Sequence, residues 1–305
     1  MAASKPAVGF VGAGGLMGRG MARHILKNGH GLRLCVHRNR SAAEELLAQG
    51  AAEDGSLREL AAASDVVILC VTDSDAVEQA VFGADGLLAG AKPGTVFIDT
   101  GTSRPDRSRA VNERLRAAGM LYADAPLSRS PAKAEEGALV SFVSCETELF
   151  ERVEPVLACY SEIVLHIGER VGQAHQLKLI NNSISAAYIG CWSEAYSACM
   201  AAGIAPVVSA AGMNCLNFQN YSRFVLEHTQ EGHKFAVKNL HKDMNYFQDL
   251  ARELGVSAPI ADAALQLLRV AVARGYGEDF APVLPKVAGE ISGTPAGELP
   301  RAKAG

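Results

Sequence analysis

Short runs of Val, Ile, Leu and Phe alternate with longer segments of helical period through about the first 165 residues of the chain. The strand-like runs are AVGFVG from Ala7, LRLCV from Leu32, DVVILCV from Asp65, GTVFIDT from Gly94, LYADAP from Leu121 and LVSFVS from Leu139. Helical patterns separate them, one running to Asn28 and another over Ser41 to Gln49. Strands that are apolar throughout, with a helix between each pair, predict a parallel sheet covered on both faces, a doubly wound α/β domain over residues 1–168. The pattern then changes. From Gly172 to Ala202 there is neither proline nor strand punctuation, which predicts one long interdomain helix of about 45 Å. Further helical patterns follow over Pro206 to Met213, Phe218 to His228, Leu240 to Leu254 and Ala258 to Arg274. Residues 169–292 therefore read as an all-α domain, and 293–305, small and polar, as a disordered tail. The long helix carries more apolar surface than one small domain covers, so a homodimer or homotetramer is expected.

Composition narrows the function classes. A chain of 305 residues, 49% apolar, can bury the cores of two domains. Twenty-nine Lys and Arg against 33 Asp and Glu, with no long basic block, offer no footprint for nucleic acid. The start MAASKPA lacks the apolar stretch of a signal peptide, and no run approaches a membrane span, so a cytoplasmic protein without membrane contact is expected. The seven cysteines form no CxxC pair and sit mostly in apolar runs, so they read as reduced, buried packing residues and no metal site is expected.

The glycines Gly12, Gly14, Gly15 and Gly18 stand between the first strand and the first helix. A glycine turn at that place lets backbone N–H groups approach a pyrophosphate while the helix presents its positive end to it, the dinucleotide signature of a Rossmann domain. The spacing is GxGxxxG, one residue longer than the usual form. After the second strand, where an NAD site carries a carboxylate for the ribose hydroxyls, the chain has Arg38, Asn39 and Arg40. Guanidinium groups suit a 2′-phosphate, so NADP(H) is expected over NAD(H); the alternative is a solvated basic turn.

Three later stretches carry polar groups in apolar surroundings: DAPLSRSPAKAEEGAL from Asp124, GQAHQLKLINN from Gly172 and HKDMNYFQDLA from His241. In the second, Lys178 and Asn182 share one helix face, with His175 a turn earlier. A lysine near apolar walls can have its pKa lowered and exchange a proton with a substrate hydroxyl, although most lysines on such helices merely reach for solvent.

In this order the motifs resemble the β-hydroxyacid dehydrogenase family, which includes 3-hydroxyisobutyrate dehydrogenases and several small semialdehyde reductases. The resemblance covers about residues 6–290: the glycine loop, Asp124 to Ser130 with Gly137 to Leu139, Gly172 to Asn182, and Lys242-Asp243-Met244. It implies Lys178 as general acid/base, Asn182 orienting the substrate, and Ser128 with its neighbours holding a carboxylate. It also implies cofactor contacts from Gly12, Gly14, Gly15, Leu16, Met17 and Gly18, from Val71 and Thr72, from Thr102 near the nicotinamide, and from Lys242. Taken singly, Thr102 reads as a helix cap, Ser128 as a turn residue and Lys242 as a helix charge paired with Asp243.

The chain departs from the family where two glycines normally follow the serine, since Arg129 and Ser130 stand there. An arginine adds a charged fork and predicts a more strongly anionic or differently shaped head group, as in sulfolactaldehyde reductases; alternatively it folds outwards or pairs with Glu135 or Glu136. The related imine reductases usually lack the lysine. The expectation is an NADP(H)-dependent oxidoreductase interconverting a small β-hydroxy acid and its semialdehyde between the two domains. The competing readings are imine reduction and a non-catalytic NADP-binding module.

Overall fold

The structure, a computed structural model, describes residues 5–36, 40–203, 215–227 and 233–293. The helix expected over Pro206 to Met213 and the tail from 294 onward lie outside these residues. The chain divides into two compact units, Met1–Lys178 and Leu179–Gly305.

The first unit runs β1 (Val8–Val11), α1 (Gly18–Lys27), β2 (Leu32–Leu34), α2 (Arg40–Ala48), β3 (Ala52–Glu53), α3 (Leu57–Ala62), β4 (Val66–Leu69) and α4 (Ser74–Phe82). It continues with β5 (Val96–Asp99), α5 (Pro105–Ala117), β6 (Leu121–Asp124), β7 (Leu127–Ser128), α6 (Pro131–Glu136), β8 (Leu139–Ser144), α7 (Thr147–Leu157) and β9 (Ser161–Gly168). Strands β3-β2-β1-β4-β5-β6 lie side by side and parallel. Alternation along them feeds two cores. Val66 and Ile68 of β4 and Val96 and Ile98 of β5 join α1 (Met21, Ala22, Ile25) and α7 (Val153, Val156) on one face. Val67, Leu69 and Phe97 join α3 (Leu60), α4 (Val77, Val81) and α5 (Val111, Leu115) on the other. Each such side chain contributes about 1.5–3 kcal/mol by leaving water.

The sheet is not wholly parallel. Asp124 of β6 faces Ser144, and Leu127 of β7 faces Ser141, so β6 and β7 follow each other antiparallel along one edge of β8; β9 pairs with β8 in parallel. Strand direction is set by connection length, because a short link between β7 and β8 permits a reversal that a parallel crossover does not. On the face of α1, Gly20 leaves no room for a Cβ, which would stand 2.5 Å from the Ala134 carbonyl of α6. Arg23 Nη2 and His24 Nε2 each lie 3.0 Å from the Glu135 carbonyl oxygen, and Arg23 also pairs with the Glu135 carboxylate. Helices α1 and α6 are thus packed backbone to backbone.

The long helix α8 (Gln173–Ala202) has the expected extent and carries the chain from the first unit into the second. There α9 (Leu216–Glu227), α10 (Val237–Glu253), α11 (Pro259–Ala273) and α12 (Leu284–Ile291) complete an all-α unit. Its core joins Ala186 and Ile189 of α8 to Leu240 and Met244 of α10, Leu265 and Leu268 of α11, and Leu284 and Val287 of α12. Ile180, Ile184 and Tyr188, four residues apart on α8, stay exposed at 41, 54 and 42%. Among the cysteines only Cys145 is buried, Cys191 is exposed and the other five are half-buried, a shallower placement than the apolar runs around them predicted.

Candidate active site

Strand order reverses its chain direction between β1 and β4, and in such sheets the crevice at the carboxyl ends of those two strands receives ligands. Gly12 leaves β1 with φ +93°, and a Cβ there would stand 2.1 Å from the Cys70 carbonyl at the end of β4. Only glycine fits. The Gly15 N–H donates to the Gly12 carbonyl oxygen (3.0 Å), and Gly18 opens α1 so close to that oxygen that a Cβ would approach it to 2.2 Å. Leu16 is exposed within this loop. Helix α1 has Met17 at its N-cap, no side-chain cap bond and no acidic residue in its first turn. Its positive end therefore faces the crevice without a carboxylate in its own first turn, and the residues present fit a dinucleotide pyrophosphate.

Val71 and Thr72 follow β4 at the same edge; the Thr72 hydroxyl donates to Asp73 (3.2 Å), which caps α4 through the Ala76 N–H. Thr102 is half-buried in the loop after β5. Arg38 and Asn39 lie outside the described residues. Arg40 opens α2 and donates to both oxygens of Glu53 (3.0 and 3.2 Å).

Ser128 ends β7. Arg129 has φ +82°, alone among the described non-glycine residues in being left-handed, a conformation that ordinarily favours glycine. That turn sends its guanidinium across the sheet edge, where it donates to the Ala138 carbonyl oxygen (2.6 Å) and pairs with Glu162, whose carboxyl it holds below the usual range. The expected pairing with Glu135 or Glu136 does not form: Glu135 is bound by Arg23, and Glu136 by Lys133. The Ser130 hydroxyl caps α6, accepting from the Lys133 N–H (3.4 Å).

Behind these loops lies a buried polar cluster. Asp99 and Asp124 are paired in register at the ends of β5 and β6, both without solvent exposure. Asp99 accepts from the Gly101 N–H (2.9 Å), the Ser103 hydroxyl (2.8 Å) and the Tyr122 hydroxyl (3.2 Å). Burial, with Asp99 and Asp124 beside it, pushes the Tyr122 phenol well above its ordinary pKa, so it stays a donor. Asp124 accepts from the Ser144 hydroxyl (2.6 Å) and from the Gly172 and His175 N–H groups (2.9 and 3.0 Å). The His175 ring nitrogen Nδ1 lies 2.8 Å from the Ser108 hydroxyl. The sequence reading passed over Asp99, although a carboxylate ending a strand of otherwise buried apolar residues is a legible signal.

Lys178 is half-buried one turn beyond His175 on α8, and Asn182 follows one turn later. The Asn182 amide, 4% exposed, donates to Asp243 Oδ2 (2.7 Å) of α10. Lys242, with its side chain 19% exposed, lies 3.1 Å from Asp243 Oδ1 and 5.1 Å from the Tyr246 ring centre, so it is a packed charge and not a solvated one. Among the described residues no His, Cys, Asp or Glu cluster could hold a metal ion, and no helix is long and apolar enough to cross a membrane.

Comparison with known proteins agrees with this layout. Residues 7–168 match the model of the NAD binding domain of 6-phosphogluconate dehydrogenase, and residues 172–286 that of the NAD-binding domain of NADP-dependent 3-hydroxyisobutyrate dehydrogenase. The chain is 30% identical to the NAD-dependent L-serine dehydrogenase of Pseudomonas aeruginosa, over 90% of this chain and 96% of that one. It is 29% identical to an L-threonate dehydrogenase of Cupriavidus necator, over 91% and 94%. Among solved structures it is similar to a 3-hydroxyisobutyrate dehydrogenase from Salmonella typhimurium, with a TM-score of 0.84 at 29% identity, over 92% of this chain and 99% of that one. The glycine turn at the strand switch point, the lysine and asparagine on one long helix and the matches across both units show that the chain belongs to the β-hydroxyacid dehydrogenase family, NAD(P)-dependent enzymes acting on a CH–OH group.

Proposed function

We propose that the protein is a cytoplasmic, NADP(H)-dependent dehydrogenase that interconverts a small β-hydroxy acid and its semialdehyde, with Lys178 as general acid/base and Asn182 orienting the substrate. The observation that carries this reading is the placement of Lys178 and Asn182 one turn apart on α8, with the Asn182 amide locked by Asp243. The names of the similar proteins support the substrate class, since 3-hydroxyisobutyrate, L-serine and L-threonate each combine a carboxylate with an alcohol. Arg38 supports NADP(H), against the cofactor named for the L-serine enzyme, whereas the Arg40 guanidinium is engaged by Glu53. The exposed stripe of Ile180, Ile184 and Tyr188 supports a homo-oligomer.

When bound, the nicotinamide supplies the site that accepts or donates hydride. In oxidation the neutral Lys178 amine takes the hydroxyl proton, and in reduction the ammonium gives it back to the carbonyl oxygen, so no bare alkoxide forms. Ser128 and the backbone N–H groups of 129–130 hold the head group, because the Arg129 guanidinium is engaged by Glu162. Lys242, held beside Asp243 and Tyr246, is the cofactor-contacting lysine that the family resemblance implies.

The test follows absorbance of reduced nicotinamide with NADPH or NADH and a panel of glyoxylate, succinic, methylmalonic and sulfonated semialdehydes, and in reverse with 3-hydroxyisobutyrate, L-threonate and L-serine. One acid pair turned over with NADP(H), and a loss of about 10²–10⁴ in kcat in Lys178→Ala with NADPH binding retained, is the expected result. Full turnover by Lys178→Ala, or reduction of a cyclic imine and of no panel member, overturns the reading.

A further inference from the structure

We propose that Asp124 and Ser144 are positioning residues that set the place of Lys178 by capping the helix that carries it from two remote strand ends. The inference rests on the acid/base reading of Lys178. An α-helix begins with N–H groups that have no partner within it, and ordinarily a side chain just before the first turn answers one of them. Here every N–H from Gly172 to His175 has an acceptor before the helix's own bonding starts with Gln176 N–H to the Gly172 carbonyl (2.9 Å). Gln173 donates to the nearby Arg170 carbonyl (3.2 Å). The other three leave the local chain: Gly172 donates to Asp124 Oδ1 (2.9 Å), His175 to Asp124 Oδ2 (3.0 Å) and Ala174 to Ser144 Oγ (2.9 Å), across separations of 48, 51 and 30 residues.

The acceptors themselves are fixed. Asp124 and Ser144 face each other in the β6–β8 pairing, neither has any solvent exposure, and the Ser144 hydroxyl donates to Asp124 (2.6 Å). The two carboxylate oxygens stop the helix from sliding along its axis. The Ser144 contact and the His175 imidazole against Ser108 (2.8 Å) stop it from turning about that axis. Lys178 is three residues past His175, a rise of about 4.5 Å, so any slip or rotation of the first turn reaches its ammonium undiminished. Proton transfer tolerates a donor–acceptor range of about 2.6–3.2 Å, and a misplacement of about 1 Å costs about 100-fold. A cap anchored in the sheet is therefore a device for aligning the acid/base with the edge that carries the glycine loop and Thr102.

The experiment compares Ser144→Ala, which removes one acceptor, with Asp124→Asn, which removes another and sets an NH₂ against a helix N–H, on the full chain beside Lys178→Ala. Amide exchange of peptides within 170–178 is followed by mass spectrometry, NADPH affinity by fluorescence, and kcat and KM with NADP⁺ and each of 3-hydroxyisobutyrate, L-threonate and L-serine. Expected for Ser144→Ala are exchange at least tenfold faster in 170–178, NADPH affinity and KM within about threefold, and kcat about tenfold lower, with Asp124→Asn falling about 100-fold. A structural defect alone would lower NADPH affinity and kcat together and spread faster exchange through the sheet. If Asp124→Asn does not fold, Ser144→Ala decides alone. Fast exchange in 170–178 with kcat unchanged, or unchanged exchange in both variants, overturns the positioning role while a dead Lys178→Ala leaves the acid/base reading standing. A fully active Lys178→Ala overturns both.

Discussion

Replacing Gly18 by alanine adds one methyl group where the glycine loop packs tightly against its own backbone. Its Cβ would stand 2.2 Å from the Gly12 oxygen, 3.0 Å from the Gly12 carbonyl carbon and 3.2 Å from Ala13 Cα, all backbone atoms that cannot rotate away. To reach even 3.0 Å from the oxygen, the first turn of α1 must retreat by about 0.8 Å. Overpacking of that kind costs about 1–3 kcal/mol, a fall of several degrees in Tm for a chain of this size. The same retreat stretches an N–H to phosphate bond from about 2.9 Å beyond the limit of about 3.2 Å, and a bond to a charged group is worth about 1.5–3 kcal/mol. NADPH affinity should then drop about 10- to 100-fold. Titration by NADPH fluorescence and a thermal melt measure both quantities. The control is Gly29→Ala, at φ +77° with open space around it, which should lower Tm through backbone strain and leave NADPH affinity untouched. Gly18→Ala with unchanged affinity and an unchanged melt would refute the argument that this glycine closes the loop onto the phosphates.

Arg129→Gly removes a left-handed conformation that costs about 1 kcal/mol in a residue with a Cβ and loses an exposed ion pair with Glu162, so Tm should move by less than about 4 °C. KM for the acid should stay within about threefold, because the guanidinium is turned to Glu162; a tenfold rise in KM would show that it reads the head group after all. Burial pushes the Cys70 thiol up to about 11 and the Cys145 thiol up to about 12, against 9.0 for a free thiol. A pKa raised by folding contributes stability that is complete below about 9 and is lost as pH rises from there through 11 to 12. Urea midpoints should therefore fall between pH 8.5 and pH 10.5, more than in a Cys70→Ala, Cys145→Ala protein, and equal falls would contradict the linkage. At pH 8 a maleimide should label exposed Cys191 and spare Cys145 in the folded protein.

The strands β1, β4 and β5 were legible because each is a short Val/Ile/Phe run that both faces of a covered sheet demand, and α8 because thirty residues pass without a breaker. The strand β9 was not, since Glu162 and His166 interrupt its apolar run and Ile163 and Leu165 face outward where a half-covered strand ordinarily carries polar residues. Helix α12 hides behind Pro282 and Pro285, which read as breakers although one precedes the helix and the other occupies its start. At the site, glycine spacing after the first strand pointed to a dinucleotide loop, while the family resemblance, and not residue type alone, singled out Lys178 and Asn182. Neither could show that Arg129 turns to Glu162, or that Asp124 reaches Gly172 and His175 from 48 and 51 residues away. Both depend on which strand ends meet, and hydropathy does not carry that information.

The backbone contact between α1 and α6 bears on how the protein can be re-engineered. The helix that follows the glycine loop and the helix that follows Ser128 to Ser130 touch through Gly20 and Ala134, with Arg23 and His24 gripping Glu135. A segment grafted from a relative over residues 127–137 arrives with a different floor beneath it. Such a transplant needs residues 19–24 to travel with it, and directed evolution of acid preference should collect its compensating changes on α1, far in sequence from the segment being selected.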